Sequence, residues 1–126
     1  MSTLTSEAKA DAVRDYARQA TGSDQVYRHP LGLLYTDGMD FLIETCEAYW
    51  LLDLVASHQP SIRKNPDSGF QLWRIAQRTD GSWLVDAWAD TPGKSTLFAR
   101  QEIEFSTFPP ELAPFAFYVE SGTALL

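Results

Sequence analysis

The sequence predicts an α+β domain in which two helices, one of them long and central, pack on a three- to five-stranded antiparallel meander sheet. Three observations lead to this class. Apolar residues recur at helical spacing in the first half of the chain, strand-like segments joined by turn signals fill the second half, and residues 35–59 form one long apolar-rich segment. We expect this segment to be the helix around which the rest of the chain packs.

Size and composition bound the class of protein. The 126 residues fit a single domain over residues 1–126, and 44% hydrophobic and 13% aromatic residues favour a folded core. A net charge of −7 opposes direct binding to nucleic acid, whose phosphates attract clustered Lys and Arg. The chain has no signal-peptide pattern, no apolar run long enough to cross a bilayer and one cysteine, Cys46. We therefore expect a cytoplasmic protein with no membrane role.

A first helix is predicted over residues 6–20. Thr5 and Ser6 offer N-cap oxygens, and Gly22 supplies a stop signal. The apolar face of this helix is mostly alanine and buries little area, so we expect it on the outside of the domain.

The connector over residues 23–34 has strand-like composition in short stretches. Pro30 and Gly32 interrupt it, so the sequence predicts only a short edge strand here. We interpret His29, which stands before Pro30, as an exposed loop histidine.

The central helix is predicted to begin at Thr36 or Asp37 as N-cap and to end near His58, because Pro60 follows two residues later. Apolar residues cover most of its circumference. An apolar arc of that width indicates that the helix is enclosed on more than one side, by a sheet and by another helix.

The second half of the chain is predicted to form a polar loop and then strands. The loop covers residues 60–69, and the turn signals around Gly81 and Gly93 divide the following segment into three antiparallel strands. A fourth strand precedes Gly122, which turns the chain into a short apolar tail. The predicted strands are residues 70–78, 82–90, 95–105 and 115–119.

An acidic stripe on the central helix is the most site-like pattern. Asp40, Glu44 and Glu47 are spaced four and three apart, so their carboxylates share one helix face and can share a cation or a proton. His58 is too far along the helix to join them. We interpret the stripe as a face that meets solvent or a partner, and we assign no metal site.

Asp53 interrupts an apolar arc of the same helix, which it shares with Cys46. A carboxylate there must pair if it is buried, and Arg63, Arg74 or a backbone donor are the candidates. We interpret Asp53 as a buried tie between helix and sheet, and Cys46 as a small core residue.

Known catalytic and cofactor motifs are absent from the sequence. It has no G-x-S-x-G, no H-E-x-x-H, no P-loop and no dinucleotide glycine pattern. We assign no catalytic residue and no cofactor, and we lean against an enzyme.

Several short motifs resemble a family of small bacterial domains of unknown function. They are YTDG at residues 35–38, AYWLLD at 48–53 continuing to Ser57 and Gln59, FQLW at 70–73, and QEIEF at 101–105 followed by Phe108-Pro109. The resemblance implies a bacterial single-domain protein carried on mobile or accessory DNA. It implies no activity and no functional residue.

Three functions remain open. The leading hypothesis is a non-enzymatic cytosolic domain that recognises a protein partner, because the surface is acidic and no catalytic constellation is present. The alternative is a small enzyme or ligand-binding domain with a pocket beside the central helix, which uses Tyr35, Asp53, His58 or Gln59. The third is an acidic inhibitor that imitates nucleic acid.

Overall fold

The computed structural model describes residues 5–19, 25–104 and 106–126, which form three α-helices and seven strands. The helices are α1 (Ser6–Gln19), α2 (Asp37–Cys46) and α3 (Tyr49–Ile62), and a short 3-10 helix covers Pro110–Leu112. The strands are β1 (Val26–Arg28), β2 (Leu34–Thr36), β3 (Phe70–Gln77), β4 (Trp83–Trp88), β5 (Leu97–Ile103), β6 (Phe115–Glu120) and β7 (Thr123–Leu125).

All seven strands belong to one sheet, in the order β1-β2-β7-β6-β3-β4-β5. Neighbouring strands are antiparallel except β2 and β7, which are parallel. The predicted meander of three to five antiparallel strands with two helices is therefore wrong. Strands of three residues are too short to show an alternating pattern, and the β2–β7 pair joins distant parts of the chain, which local sequence does not reveal.

The predicted central helix is two helices with a break at Glu47. Glu47 has a left-handed backbone (φ 53°), and the Ala48 N–H donates to the Ile43 carbonyl at 2.9 Å. A left-handed non-glycine residue costs roughly 1–2 kcal/mol. Two distant residues stabilise it: Lys9 pairs with the Glu47 carboxylate at 2.7 Å, and the Thr107 hydroxyl donates to the Glu47 carbonyl at 2.8 Å. No Gly or Pro marks the break, so no local sequence signal predicts it.

Of the two predicted ends of the central helix, one is confirmed and the other is wrong. The N-cap at Thr36 is confirmed, since its hydroxyl accepts from the Met39 N–H at 3.3 Å. The predicted end near His58 is wrong, because α3 includes Pro60 and continues to Ile62. Pro60 is exposed and lies in the last turn, where its missing N–H removes only one hydrogen bond.

Most of the other elements were predicted correctly. Helix α1, the edge strand β1 and strands β3 to β6 lie where the sequence placed them, and the apolar tail after Gly122 is strand β7. Helix α1 lies outside α2 and buries Ala10 and Val13. The predicted helix stop at Gly22 and the strand residue Phe105 lie outside the described residues.

The helices cover one face of the sheet, and the sheet curves around α3. On the inner face Trp73 of β3 stacks on Phe117 of β6, with ring centroids 6.3 Å apart, in the same core as the buried residues of α2 and α3. Contacts to α3 come from both ends of the sheet: His29 follows β1, and Gln101 belongs to β5. The solvent-facing side of α3 therefore lies between the two sheet edges.

Candidate functional site

A groove with a volume of about 450 Å³ runs between α3 and the edge strand β5. Residues three and four apart share one face of a helix, and alternate residues of a strand point to one side, so both elements direct side chains into it. Its lining residues are Trp50, Asp53, Leu54, Ser57, Gln101 and Ile103.

Asp53 is the charged group of the groove. Its side chain is 68% exposed and accepts a hydrogen bond from Nε2 of His29 at 2.6 Å. The His29 side chain is only 9% exposed, and its Nδ1 accepts the Leu31 backbone N–H at 3.0 Å. The burial predicted for Asp53 and the exposure predicted for His29 are therefore both wrong. His29 is the buried residue of the pair, and Asp53 is the exposed one.

The hydrogen bonds of His29 limit what it can do chemically. Because Nδ1 accepts from the Leu31 N–H, the ring proton is on Nε2 and is donated to Asp53. Neither nitrogen is available to take a proton from a substrate. The pair ties the turn after β1 to α3 and does not form a general base.

His58 joins α3 to β5 beside the groove. It is half-buried, its Nε2 donates to the Gln101 side-chain oxygen at 3.0 Å, and its ring lies 6.2 Å from that of Trp73. The predicted candidates Asp53 and His58 are thus both near the groove: Asp53 lines it, and His58 contacts Gln101, which also lines it.

Trp50, which also lines the groove, is held in place by hydrogen bonds. Its indole N–H donates to the Thr107 hydroxyl oxygen at 2.9 Å, and that hydroxyl donates onward to the Glu47 carbonyl at 2.8 Å. Sequence analysis did not select Trp50 or Thr107. Their only sequence signal was their position within or beside the family motifs.

Gln59 is in the core and does not reach the groove. It is 2% exposed and makes two reciprocal amide hydrogen bonds with Gln71 of β3, both at 2.9 Å. The Trp73 indole N–H also donates to the Gln71 side-chain oxygen at 2.9 Å. The glutamine and tryptophan of the FQLW motif therefore hold α3 on the sheet.

Tyr35, Asp40 and Glu44 form a separate cluster at the other edge of the sheet. Tyr35 stacks on Tyr27 with centroids 5.5 Å apart, and the Tyr49 hydroxyl donates to Glu44 at 3.4 Å. Partial burial, then the nearby Glu44 and Asp37, raise the pKa of Asp40. Burial, then the Asp40 charge, raise the pKa of Tyr35.

The acidic stripe is only partly continuous. Asp40 is half-buried, whereas Glu44 and Glu47 are exposed. Glu47 lies at the break after α2 and pairs with Lys9. The stripe is therefore divided, with Asp40 and Glu44 beside the tyrosines and Glu47 holding α1.

Cys46 is fully buried, as predicted. Burial raises the pKa of its thiol to about 11, although the charge of Lys9 opposes the shift. The thiol is protonated at neutral pH and is a core residue.

The buried carboxylate of the sheet is Asp86, which sequence analysis missed. Asp86 in β4 is 2% exposed and pairs with Arg74 of β3, with Arg74 Nη2 3.0 Å from Asp86 Oδ2. Arg74 was a predicted partner of Asp53 and is instead committed to Asp86. The signal was an aspartate inside the apolar strand WLVDAW.

A larger cavity of about 770 Å³ lies between α1, Leu112 and Phe115. Its four charged side chains form two ion pairs, Asp11 with Arg14 and Asp15 with Arg18. Elsewhere in the described ranges, we found no group of three or more His, Cys, Asp or Glu residues that can hold a metal ion. The described helices are all too short or too polar to cross a membrane.

Comparison with known proteins gives one match. Searches of curated proteins and of solved structures found no match. The model of a family of unknown function, DUF6876, matches residues 12–126, which confirms the resemblance to a family of unknown function. The chain belongs to this family, DUF6876.

Proposed function

We propose that this protein is a non-enzymatic interaction domain that binds an extended segment of a partner protein in the groove between α3 and β5. The supporting observation is the position of the groove beside β5, the last strand of the sheet order, whose second edge is unpaired within the described residues. A free strand edge offers backbone N–H and C=O groups to an added strand, and an adjacent side-chain groove adds specificity.

The lining of the groove defines the chemistry of the partner. Trp50, Leu54 and Ile103 offer apolar contacts, and the exposed carboxylate of Asp53 lies beside them. An extended segment with an apolar side chain next to a Lys or Arg matches this arrangement. The net charge of −7 attracts basic segments over longer range.

The enzyme or ligand-binding alternative has less support. Of its four candidate side chains, Asp53 lines the groove, His58 lies beside it, Gln59 is in the core and Tyr35 is in another cluster. The acidic-inhibitor hypothesis also has less support, because it needs a long row of free carboxylates. Asp11, Asp15 and Glu47 are each in an ion pair.

The proposal includes a compartment and a source. We place the domain in the cytoplasm, because its one cysteine, Cys46, is a free thiol, and free thiols without disulfides are typical of proteins in reducing compartments. We also place it in a bacterium, on accessory or mobile DNA. The support for the source is the motif resemblance described above.

Peptide selection tests the proposed function. A phage-displayed library of random peptides is selected on the full-length protein, and the enriched peptides are measured by fluorescence polarisation. We expect peptides that carry an apolar residue beside Lys or Arg. Ser57→Trp, which fills the groove, should weaken their binding by about tenfold or more, since losing one pocket contact costs about 1–3 kcal/mol.

Ser61→Trp is the matched control. Ser61 is also exposed on α3 but does not line the groove, so this variant should bind as the wild type does. Equal binding by both variants, or a selection that enriches no peptide above background, would contradict the proposal.

A further inference from the structure

The outer face of the sheet, which points away from the three helices, is apolar along its central strands. Leu72 lies between Trp88 of β4 and Tyr118 of β6 in the strand register, so their side chains share this face. Within the described residues, these side chains lie outside the core cluster and no helix packs on them. The large apolar residues of this outer face on strands β3 to β6 are Phe70, Leu72, Leu84, Trp88, Leu97 and Tyr118.

Two of these side chains are exposed to solvent, and the other four are half-buried. Leu97 is 43% exposed and Phe70 is 37% exposed, although Phe70 also stacks on Tyr118 with centroids 5.6 Å apart. A contiguous apolar patch on a small protein marks an interaction surface more often than a solvated one. Trp, Tyr, Phe and Arg are also the residue types enriched in protein interfaces.

The charges of the outer face differ from those of the whole chain. Its Arg74–Asp86 pair lies at the centre, and Arg78, which follows β3, pairs with Glu102 at 2.8 Å. The register adds two arginines and one glutamate, so that four arginines and three carboxylates belong to this face: Arg28, Arg74, Arg78, Arg100, Asp86, Glu102 and Glu120. The chain as a whole has a charge of −7. The repulsion expected between two acidic chains is therefore reduced where they meet through this face.

The size of the outer face matches the requirement of a small dimer. At a strand spacing of about 4.8 Å and a rise of about 3.3 Å per residue, the four longest strands present roughly 400 Å², and the short β2 and β7 raise this to roughly 500 Å². Two copies then cover about 1,000 Å² in total, which reaches the lower limit for a specific interface. An interface of this size gives a weak dimer.

We propose that the outer face of the sheet is the interface of a homodimer, in which a second copy of this chain packs the same face on it. A two-fold arrangement is self-complementary and closed, and it covers the apolar residues of both copies at once. This inference does not depend on the groove, which lies on the other side of the sheet. The occupant is a second copy because the balanced charge allows two acidic chains to approach here.

Sedimentation velocity and light scattering on the full chain test this proposal. Over a concentration series across the micromolar range, the mass should rise from 14.2 kDa towards twice that value. Leu97→Glu and Phe70→Glu place a charge on partly exposed positions of the outer face, and both variants should stay monomeric over the series. Circular dichroism checks that each variant is folded.

Leu31→Glu is the matched control. Leu31 is 67% exposed in the turn between β1 and β2, outside the outer face, and its substitution adds the same charge. This variant should dimerise as the wild type does. A wild type that stays monomeric, a Leu31→Glu variant that dissociates as fully as Leu97→Glu, or a mass that grows beyond the dimer would each overturn the proposal.

Discussion

Replacement of Gln59 tests whether the buried amide pair holds α3 on the sheet. Gln59→Leu keeps the side-chain volume similar but removes both hydrogen bonds with Gln71, which is itself 2% exposed. Gln71 still accepts from Trp73, and its amide keeps one long contact of 3.4 Å to the Ser68 carbonyl. One poorly satisfied buried amide costs about 1–3 kcal/mol, so we expect a loss of about 2 kcal/mol.

The partner substitution should cost more. Gln71→Leu leaves the Trp73 indole N–H without an acceptor and the Gln59 side-chain oxygen without a donor, so we expect a loss of about 3 kcal/mol. The Gln59 amide nitrogen keeps its hydrogen bond to the Val55 carbonyl at 3.2 Å. The double variant removes both amides together and leaves only the indole unpaired. Its cost should therefore fall below the sum of the single costs by at least about 1 kcal/mol.

Urea unfolding, followed by circular dichroism and fluorescence, measures these free energies. Gln77→Leu is the matched control, because Gln77 is exposed at the end of β3 and its loss should change the stability by less than about 0.5 kcal/mol. A Gln59→Leu variant as stable as this control, or a double variant whose cost equals the sum, would show that the amide pair does not stabilise the fold.

Two further substitutions test the charged groups of α2 and α3. Asp40→Asn should stabilise the protein at neutral pH, because the raised pKa of Asp40 means that the folded state favours the protonated carboxyl. The gain should fade as the pH falls through the folded pKa of Asp40 towards its unfolded value, and a gain that persists in acid would contradict this reasoning. Asp53→Ala should lower the stability by about 1 kcal/mol, since the Asp53 carboxylate is largely exposed and makes one hydrogen bond, with His29. His29→Ala should cost more, because His29 is buried and also accepts the Leu31 N–H; thermal melts that reverse this order would contradict the assignment.

Long elements could be predicted from the sequence because their patterns are local. Helix α1 has a cap and a repeating apolar face, and β3 to β5 have alternation and glycine turns, so each element is specified within its own residues. The strands β2 and β7, which the sequence did not predict, have three residues each. They form strands because they pair with strands from other parts of the chain, and their own few residues do not predict that pairing.

The error at Asp53 has a geometric cause. Asp53 was predicted to point inward because the whole apolar segment was treated as one continuous helix. The structure has two helices, since the break at Glu47 separates α2 from α3. Two helices with different axes do not share a common face, so the phase is lost at the break. On α3 alone, Asp53 shares its exposed side with Tyr49 and Ser57. The contacts of Lys9 and Thr107 that stabilise the break are long-range.

Strand β5 contributes to both proposed interfaces, and its side chains divide between them. Gln101 and Ile103 line the groove, and Arg100, which alternates with them, points to the outer face. The register shift between Ala87 and Trp88 pairs Leu97 with Trp88, so that Leu97 also belongs to the outer face and its substitution changes dimerisation without entering the groove. A dimer formed through the outer face also leaves the unpaired edge of β5 free in each copy. The two copies can then bind two partner segments at once, so dimerisation increases the avidity for a repeated or oligomeric partner without changing either groove.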